Sequence, residues 1–538
     1  MGEDREFFQD GPELDNQYRD DSALLAWLKA RLPVEVLKDI APGLERLGER
    51  AAGEMLGMAA DAEAHPPRHV PYDPWGRRID HIETTWGWQA LRRVAVEEAI
   101  VATAYERRQG PWSRLHQLIR LYLYNPSSAI ASCPLAMTDG AARVLELHGN
   151  SAQKHRYLPH LLSRDPEQFW SSGQWMTERS GGSDVSGTST VALLENSEYR
   201  LHGTKWFTSA TDSQLALTLA RDEALDAEGR LSLFLLELRD AHGQLNNIFV
   251  HRLKDKLGTR ALPTAELTLK GTPAQRLGPA GHGVRSIATV LNITRTYNAV
   301  CAVSYMRRGL ALAEDYARKR RVFGKLLADQ PLHRETLAEL HAEFVGALHL
   351  VLHLGVLMGR EETGAASETE KTLLRLLTPI AKLYTGKQCI AIASEVLECF
   401  GGQGYIEDTG LPVLLRDCQV LSIWEGTTNV LSLDTLRVLE QGDALETFAN
   451  DVARHLDRLQ RPELAVLRVS IQRAVRDLQA WYQRIGEGAP AVRETGARRF
   501  AFSLARTYVA ALLVGAAQHG FLSSEIAQRW CRTPLFSL

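Results

Sequence analysis

YRLHGTKWFTS, residues 199–209, alternates apolar with polar side chains and is rich in aromatic and β-branched residues, the signature of a half-buried strand. LSLFLLEL at 231–238 and TAELTLKG at 264–271 continue that texture between turn residues, so a β domain is expected over 168–277. On both sides the period changes. Leu24, Leu25 and Leu28, followed by Val34, Val36 and Leu37, have helical spacing, and helical patterning resumes from Trp86 to His160. Downstream, RRGLALAEDYARKRRVF (307–323) and TLAELHAEFVGALHLVLHLGVL (336–357) read as long helices. The expected division is therefore a helical domain over 1–167, the β domain over 168–277, a second helical domain over 278–440 and a further helical segment over 441–538. HPPRHVPYDPW (65–75), with four prolines in eleven residues, is expected to be an irregular connector. A central antiparallel sheet between helical domains is an α+β arrangement, distinct from the alternating strand–helix order of a dinucleotide-binding fold.

A chain of 538 residues is long enough for several cores, and 45% hydrophobic with 24% charged residues is ordinary for a globular protein. The formal net charge of −3 gives no global attraction to nucleic acid or an acidic membrane. Six cysteines are scattered without a CxxC pair, which argues against a disulfide framework or a zinc site and fits a reducing compartment. The N-terminal MGEDREFFQDGPELDNQ has neither a basic nor an apolar targeting region, and no run of about 18 apolar residues suggests a membrane span. A cytoplasmic location is expected. Lysines make up 12 of the 62 basic residues, a bias that reads as codon preference.

Four features could carry chemistry. GGQG (401–404) and GPAGHG (278–283) resemble fragments of phosphate-cradling loops but lack the full spacing, and read as turn glycines. His349 and His353 share a helical face, yet their neighbours are aliphatic and the metallopeptidase glutamate is missing, so both read as polar positions on a buried helix, with no metal site implied. WMTERSGGSDVSG (175–187) is either a solvated loop or a supplier of hydroxyls and backbone N–H groups to a polar ring or phosphate. In SIWEGTTNVLSLDTLRVL (422–439), Glu425 follows an apolar run and precedes Gly426. Thr427 could cap a helix burying Val430, Leu433 and Leu436. Glu425 is either a partly desolvated base or an acid interacting with the helix dipole.

Taken in order, MTERSGGSDV (176–185), GTKWFTS (203–209), KLGTR (256–260), YARKRRVFGKLL (316–327), CFGGQGY (399–405) and RDCQVLSIWEGTTNV (416–430) resemble the acyl-CoA dehydrogenase family at the family's spacings. LLTPIAKL (376–383), Trp424, SLDTLRVL (432–439) and the segment after residue 440 are similar to the branch of the alkylation-response flavoprotein AidB. The resemblance implies a helical, a β and a helical domain with an extra C-terminal helical domain, bound FAD, an acyl-CoA or related thioester as substrate, and a homotetramer sharing its FAD sites.

Residue by residue, the resemblance places Met176, Thr177 and Ser183 beside the flavin, and puts Phe207 and Ser209 where relatives carry a tryptophan and a threonine against the ring. Arg320 and Phe323 match positions reaching a neighbouring subunit's FAD, Gly401 and Gly402 the segment near the dinucleotide, and Thr427 and Asn429 positions holding the cofactor after the base. Glu425 matches the catalytic glutamate. The alternative base position is occupied here by the pair Thr294–Arg295, and Glu398 departs from the glutamine common in relatives.

AidB-type proteins are associated with DNA, and residues 441–538 hold 13 arginines against 9 acidic residues. Arg454, Arg458 and Arg461 have the spacing of one helical face and could meet phosphates of double-stranded DNA. Leu456, Leu459, Leu467, Ile471, Leu478 and Trp481 equally suggest packing, and Pro462 interrupts the basic stripe. Two functions follow: an FAD-dependent dehydrogenase of acyl thioesters, or a DNA-binding flavoprotein with vestigial dehydrogenase chemistry.

Overall fold

A computed structural model describes residues 9–225, 230–457, 459–486 and 490–537. Its first helices are α1 (Ser22–Arg31), α2 (Val34–Ala52) and α3 (Glu54–Ala64), followed by strands β1 (Arg68–Tyr72) and β2 (Arg78–Glu83). Next come α4 (Trp86–Glu97), α5 (Ala102–Glu106), α6 (Ser113–Tyr124), α7 (Ser132–His148) and α8 (Ser151–Leu161). The middle strands are β3 (Ser172–Gln174), β4 (Val191–Glu195), β5 (Glu198–Ser209), β6 (Leu215–Asp222), β7 (Leu231–Glu237), β8 (Ile248–Leu253) and β9 (Thr264–Arg276). After them run α9 (Gly283–Lys319), the small strands β10 (Arg321–Val322) and β11 (Lys325–Leu326), α10 (Pro331–Glu362), α11 (Glu368–Cys399), α12 (Leu411–Leu421) and α13 (Thr428–Glu440). The C-terminal helices are α14 (Ala444–Leu456), α15 (Pro462–Gly486), α16 (Pro490–Gln518) and α17 (Ser524–Arg532). Backbone contacts group the chain into two compact units, one of Gly53–Arg108 and Ser127–Tyr297, the other of Met1–Ala52, Gln109–Pro126 and Asn298–Leu538.

In the first unit, β6 and β7 are apolar on both faces and are covered on both. Leu215, Leu217, Leu219, Leu233 and Leu235 pack on Val144, Leu145, Leu161, Ile287 and Val290 of the surrounding helices. The alternate residues Ala216, Ala220, Phe234 and Leu236 enclose a second core with Trp175, Leu201 and Leu267. Pairings β6–β4–β5–β9–β7–β6 close a ring, with β3 added to β6 and β8 to β9. The expected antiparallel sheet is thus a barrel of mixed pairing. β3 and β4 lie parallel to β6 because neither enters it through a hairpin.

The barrel buries an ion pair. Lys205 on β5 is 0% exposed, and its Nζ lies 2.8 Å from the Glu178 carboxylate. Glu178 also accepts from the hydroxyls of Ser189 and Thr190, both at 2.5 Å. Burial works to raise the Glu178 carboxyl, but Lys205 and the two hydroxyls outweigh it and hold it at about 2.

The proline-rich stretch 65–75 is not the irregular connector expected. Arg68–Tyr72 forms β1 of a hairpin with β2. Its prolines occupy positions that need no ladder N–H: Pro66 and Pro67 precede the strand, Pro71 sits where the register shifts, and Pro74 lies in the turn. Asp80 anchors the hairpin to β8 by accepting from Val250 N at 3.2 Å while Arg78 donates to Val250 O at 2.7 Å.

The other unit is helical. α10 and the stretch Ala491–Gln518 of α16 are long and apolar enough to cross a membrane, yet 83% and 89% of their apolar windows are buried, as in core helices. His349 and His353 sit in this core, where burial holds both imidazoles down at about 3 and neutral. His353 Nε2 lies 2.9 Å from Tyr508 Oη, which donates to Asp451 at 2.7 Å. The C-terminal helices dock by a ring in a notch: the Trp530 ring fills the space left by the missing side chain of Gly346 on α10. Arg506 stacks on that ring at 4.5 Å and donates to the Trp530 carbonyl at 2.8 Å.

Trp530→Ala should cost about 3–5 kcal/mol, read as a lowered calorimetric unfolding midpoint, and Gly346→Ala should lower it too by expelling the ring. Lys205→Met leaves a buried carboxylate without its cation and should cost about 3–5 kcal/mol. Because Glu178 is held at about 2 from an ordinary 4.5, its stabilisation is complete above about pH 4.5 and lost as pH falls towards 2. Acid unfolding followed by tryptophan fluorescence should show that loss in the wild type and a weaker dependence in Lys205→Met.

Candidate active site

In the barrel unit, hydrogen bonds tie together the segments that carry five predicted residues, Met176, Thr177, Ser183, Phe207 and Ser209. Trp206 N donates to Thr177 O at 3.0 Å, and Trp175 Nε1 to Ser209 O at 3.2 Å, which ties the Met176–Thr177 segment to the end of β5. The Glu178–Lys205 pair lies directly behind this junction. Gly182 packs on the Thr177 side chain so closely that a Cβ could not be accommodated, and Ser183 follows on the exposed loop. Ser209 Oγ shares a hydrogen bond with Thr264 Oγ1 at 3.0 Å.

Phe207 keeps 53% of its surface exposed. Lys254 Nζ stands 4.6 Å from its ring centroid and 3.9 Å from that of Trp206, held there by Glu266 at 2.5 Å. An exposed aromatic ring with a fixed cation over it, on a strand end tied to a threonine and a serine-bearing loop, offers group types suited to a planar polar ring such as isoalloxazine. Lys254 was not foreseen from the sequence. Its signal was a lysine in an arginine-rich chain, close to the KLGTR motif.

In the helical unit, α12 stops at Leu421 and the chain turns sharply through Glu425 (φ 58°) and Gly426 (φ 105°). Thr427 caps α13 as expected, its side chain accepting from Val430 N at 3.5 Å. The buried face differs from expectation: Leu431, Leu436, Val438 and Leu439 are buried, while Val430 and Leu433 are half-buried, because α13 packs against both α11 and α16. Glu425 is half-buried. Lys382 on α11 is 1% exposed and donates from Nζ to Gly426 O at 2.6 Å. One turn along α11, Gly386 lets the backbone approach: a Cβ there would stand 2.8 Å from Leu421 O. One further turn on, Cys389 Sγ meets Cys418 Sγ of α12 at 2.7 Å, so two of the scattered cysteines come together in the fold. Asn429 is reached from the C-terminal helices by Arg498 Nη1 at 3.3 Å.

A separate group in the same unit contains the remaining predicted residues. Phe323 is 98% exposed at the tip of the β10–β11 hairpin, with φ 50°. Arg320 lies exposed at the hairpin's base and bonds the Gln9 side chain. Tyr316 and Phe400 meet at 4.7 Å between ring centroids, which sets that base beside the exposed turn of Gly401 and Gly402. Glu398 is exposed at the end of α11. GPAGHG, by contrast, connects β9 to α9 and is used for packing, since Gly283 lies against the Ser232 backbone. Thr294, on α9 in the barrel unit, bonds the Val290 carbonyl at 3.1 Å.

The basic face proposed for the C-terminal segment does not form as one face. Arg454 belongs to α14 and pairs with Asp451, while Arg461 precedes α15 and pairs with Glu463 at 2.7 Å. Pro462 begins the new helix, and Arg458 lies outside the described residues. Leu456, Leu459, Leu467, Ile471 and Leu478 are buried.

Family models match in succession. They are the adaptive response protein AidB N-terminal domain over residues 12–168, the acyl-CoA dehydrogenase middle domain over 173–272 and the acyl-CoA dehydrogenase C-terminal domain over 281–439. An acyl-CoA dehydrogenase 11 C-terminal domain-like model matches 443–538. The chain is 43% identical to acyl-CoA dehydrogenase family member 11 of Caenorhabditis elegans, over 99% of this chain and 90% of that protein. The crystal structure of that organism's ACDH-11 in complex with C11-CoA superimposes with a TM-score of 0.95, covering 99% of this chain and 93% of the other. A structure described as the Bd2924 apo-form is 55% identical with a TM-score of 0.87, covering 96% of this chain and all of the other. The putative acyl-CoA dehydrogenase AidB of Escherichia coli (strain K12) is 31% identical over 91% of this chain and 87% of its own length. With likeness maintained across nearly its whole length, the chain belongs to the flavin-dependent acyl-CoA dehydrogenase family, in the branch with an AidB-type N-terminal domain and a C-terminal extension.

Proposed function

We propose that this protein is an FAD-dependent oxidoreductase that removes hydrogen across the Cα–Cβ bond of a fatty acyl-CoA, with Glu425 as the base. The observation that carries the reading is the Glu425 loop: a carboxylate on a left-handed residue, followed by a carbonyl gripped by a buried lysine. Met176, Thr177, Ser183, Phe207 and Ser209 would hold the flavin ring, and Thr427 and Asn429 would hold the cofactor after the base. When bound, FAD supplies the acceptor for the β-hydride.

The chain's own part is proton transfer. A thioester α-proton is too weakly acidic for a carboxylate in bulk water, so its carbonyl must be polarised and the base kept from full hydration. Glu425 is already half-buried, and an acyl chain lying over it would exclude further water. The C11-CoA held by the nematode relative points to a fatty acyl thioester as substrate class.

Oligomerisation is part of the same reading. Phe323 at 98%, Tyr405 at 87% and Leu332 at 80% exposure are large apolar side chains left in water by one chain. We take them as contacts with further copies in a homotetramer, where Arg320, Phe323, Gly401 and Gly402 would reach a neighbour's FAD. A cytoplasmic location agrees with six free thiols. The DNA-binding alternative draws less support. Arg454, Arg461, Arg473, Arg493, Arg506 and Arg529 each pair with a carboxylate, which reduces the charge offered to a polyanion.

A panel of acyl-CoAs mixed anaerobically with the FAD-loaded protein should bleach the flavin absorbance. Glu425→Gln should retain FAD and slow bleaching about a thousandfold; full-rate bleaching by that variant would exclude Glu425 as base. Duplex DNA titrated at two salt concentrations should bind weakly, whereas tight binding with a steep salt dependence would favour the alternative.

A further inference from the structure

Lysine is scarce in this chain, with 12 among 62 basic residues, and one of them occupies a place where a cation is costly. Lys382 is 1% exposed within the apolar run Leu376–Tyr384 of α11, among buried Leu377, Ile380 and Leu383. An ammonium there must be compensated, and a methionine or leucine would pack without that cost. One partner is unusual. The Gly426 carbonyl, 2.6 Å from Nζ, follows two successive left-handed residues, of which Glu425 carries a side chain. A non-glycine residue in that region is strained and persists only when its surroundings hold it.

The neighbouring contacts give Lys382 its geometry. Residues 382, 386 and 389 lie at i, i+4 and i+7 on one face of α11 and meet Gly426, Leu421 and Cys418 in reverse chain order. α12 and the loop after it are therefore seated along α11 by close backbone approach and sulfur contact. The seam ends in a charge-assisted hydrogen bond at the residue next to Glu425.

We propose that Lys382 is a positioning residue for α-proton abstraction: by holding the Gly426 carbonyl it fixes the left-handed pair and so sets the direction in which the Glu425 carboxylate points. The proposal rests on Glu425 being the base. Lys382 takes no proton and touches no substrate. It determines how often the carboxylate stands where the α-proton of a bound acyl-CoA lies.

The test uses the full-length, FAD-loaded protein with Lys382→Met, which keeps the unbranched shape without charge, and Lys382→Arg, which keeps charge and donors. Three quantities are read: FAD per chain, the Kd of a thioether acyl-CoA analogue that perturbs the flavin spectrum, and the single-turnover bleaching rate with ordinary and α-deuterated acyl-CoA. Lys382→Met should hold FAD and analogue within about twofold of wild type, bleach about 30-fold more slowly (~2 kcal/mol) and show a larger α-deuterium isotope effect. Lys382→Arg should recover most of the rate. Wild-type bleaching by Lys382→Met overturns the proposal, as does a loss of rate that only parallels lost FAD and a lowered melting temperature. If Lys382→Met does not fold, Lys382→Gln, which keeps a donor without charge, must show the same slow bleaching and raised isotope effect with FAD retained, or the proposal fails. A Glu425→Gln protein that bleaches fully overturns the underlying reading of the base. An inert Glu425→Gln beside an unaffected Lys382→Met overturns the role of Lys382 alone.

Discussion

An ammonium group with no access to water has to be compensated by the groups around it, and in the barrel unit that requirement brings together the segments of the candidate flavin patch. Lys205 points into the barrel, so Glu178 must come to it. The chain neighbour of Glu178 is Thr177, and Lys205 is two residues from Phe207. The pair therefore brings together the segments that carry a hydroxyl and an aromatic ring, and the backbone bond from Trp206 to Thr177 fixes their register. Ser189 and Thr190 complete the carboxylate's hydrogen bonds, which is how so deep a charge can be kept. The barrel walls supply the rest, because strands apolar on both faces leave little freedom in how the sheet is covered.

In the helical unit a buried lysine likewise reaches across to a distant part of the chain, here to a backbone carbonyl. The loop after α12 carries a left-handed glutamate, and the buried lysine of α11 is the counterpart that holds the next residue. The C-terminal extension is built into this unit. Trp530 fills the Gly346 notch, Arg506 bridges the Tyr384 hydroxyl and the Trp530 carbonyl, and Arg498 touches Asn429 at the start of α13. A segment so engaged supports the helices that carry the loop, and much of its positive charge is consumed in doing so.

The helix–sheet–helix order was legible from the residues because hydrophobic period is a local property. So were the cap at Thr427 and the burial of Leu456, Leu467, Ile471 and Leu478. The proline-rich stretch misled, since composition says that a proline cannot donate to a ladder but does not say which positions of a hairpin need no donor. The arginine stripe misled for a related reason. Helical spacing from Arg454 to Arg461 assumed one continuous helix, whereas α14 ends at Leu456 and α15 begins only at Pro462. The lysines were visible all along. Their scarcity reads as codon preference, although Lys205, Lys254 and Lys382 stand beside the candidate site residues in the fold.

Sequence alone determined the α+β architecture, the family resemblance and the residue types available for flavin chemistry, because each is written in local pattern and motif order. Tertiary structure decided the rest. It closed the strands into a barrel, paired Glu178 with Lys205, brought Cys389 to Cys418 and set Lys382 against the carbonyl beside Glu425. These are contacts between residues distant along the chain, and the cost of burying a charge is satisfied by whichever partner the packing delivers, which no local pattern specifies.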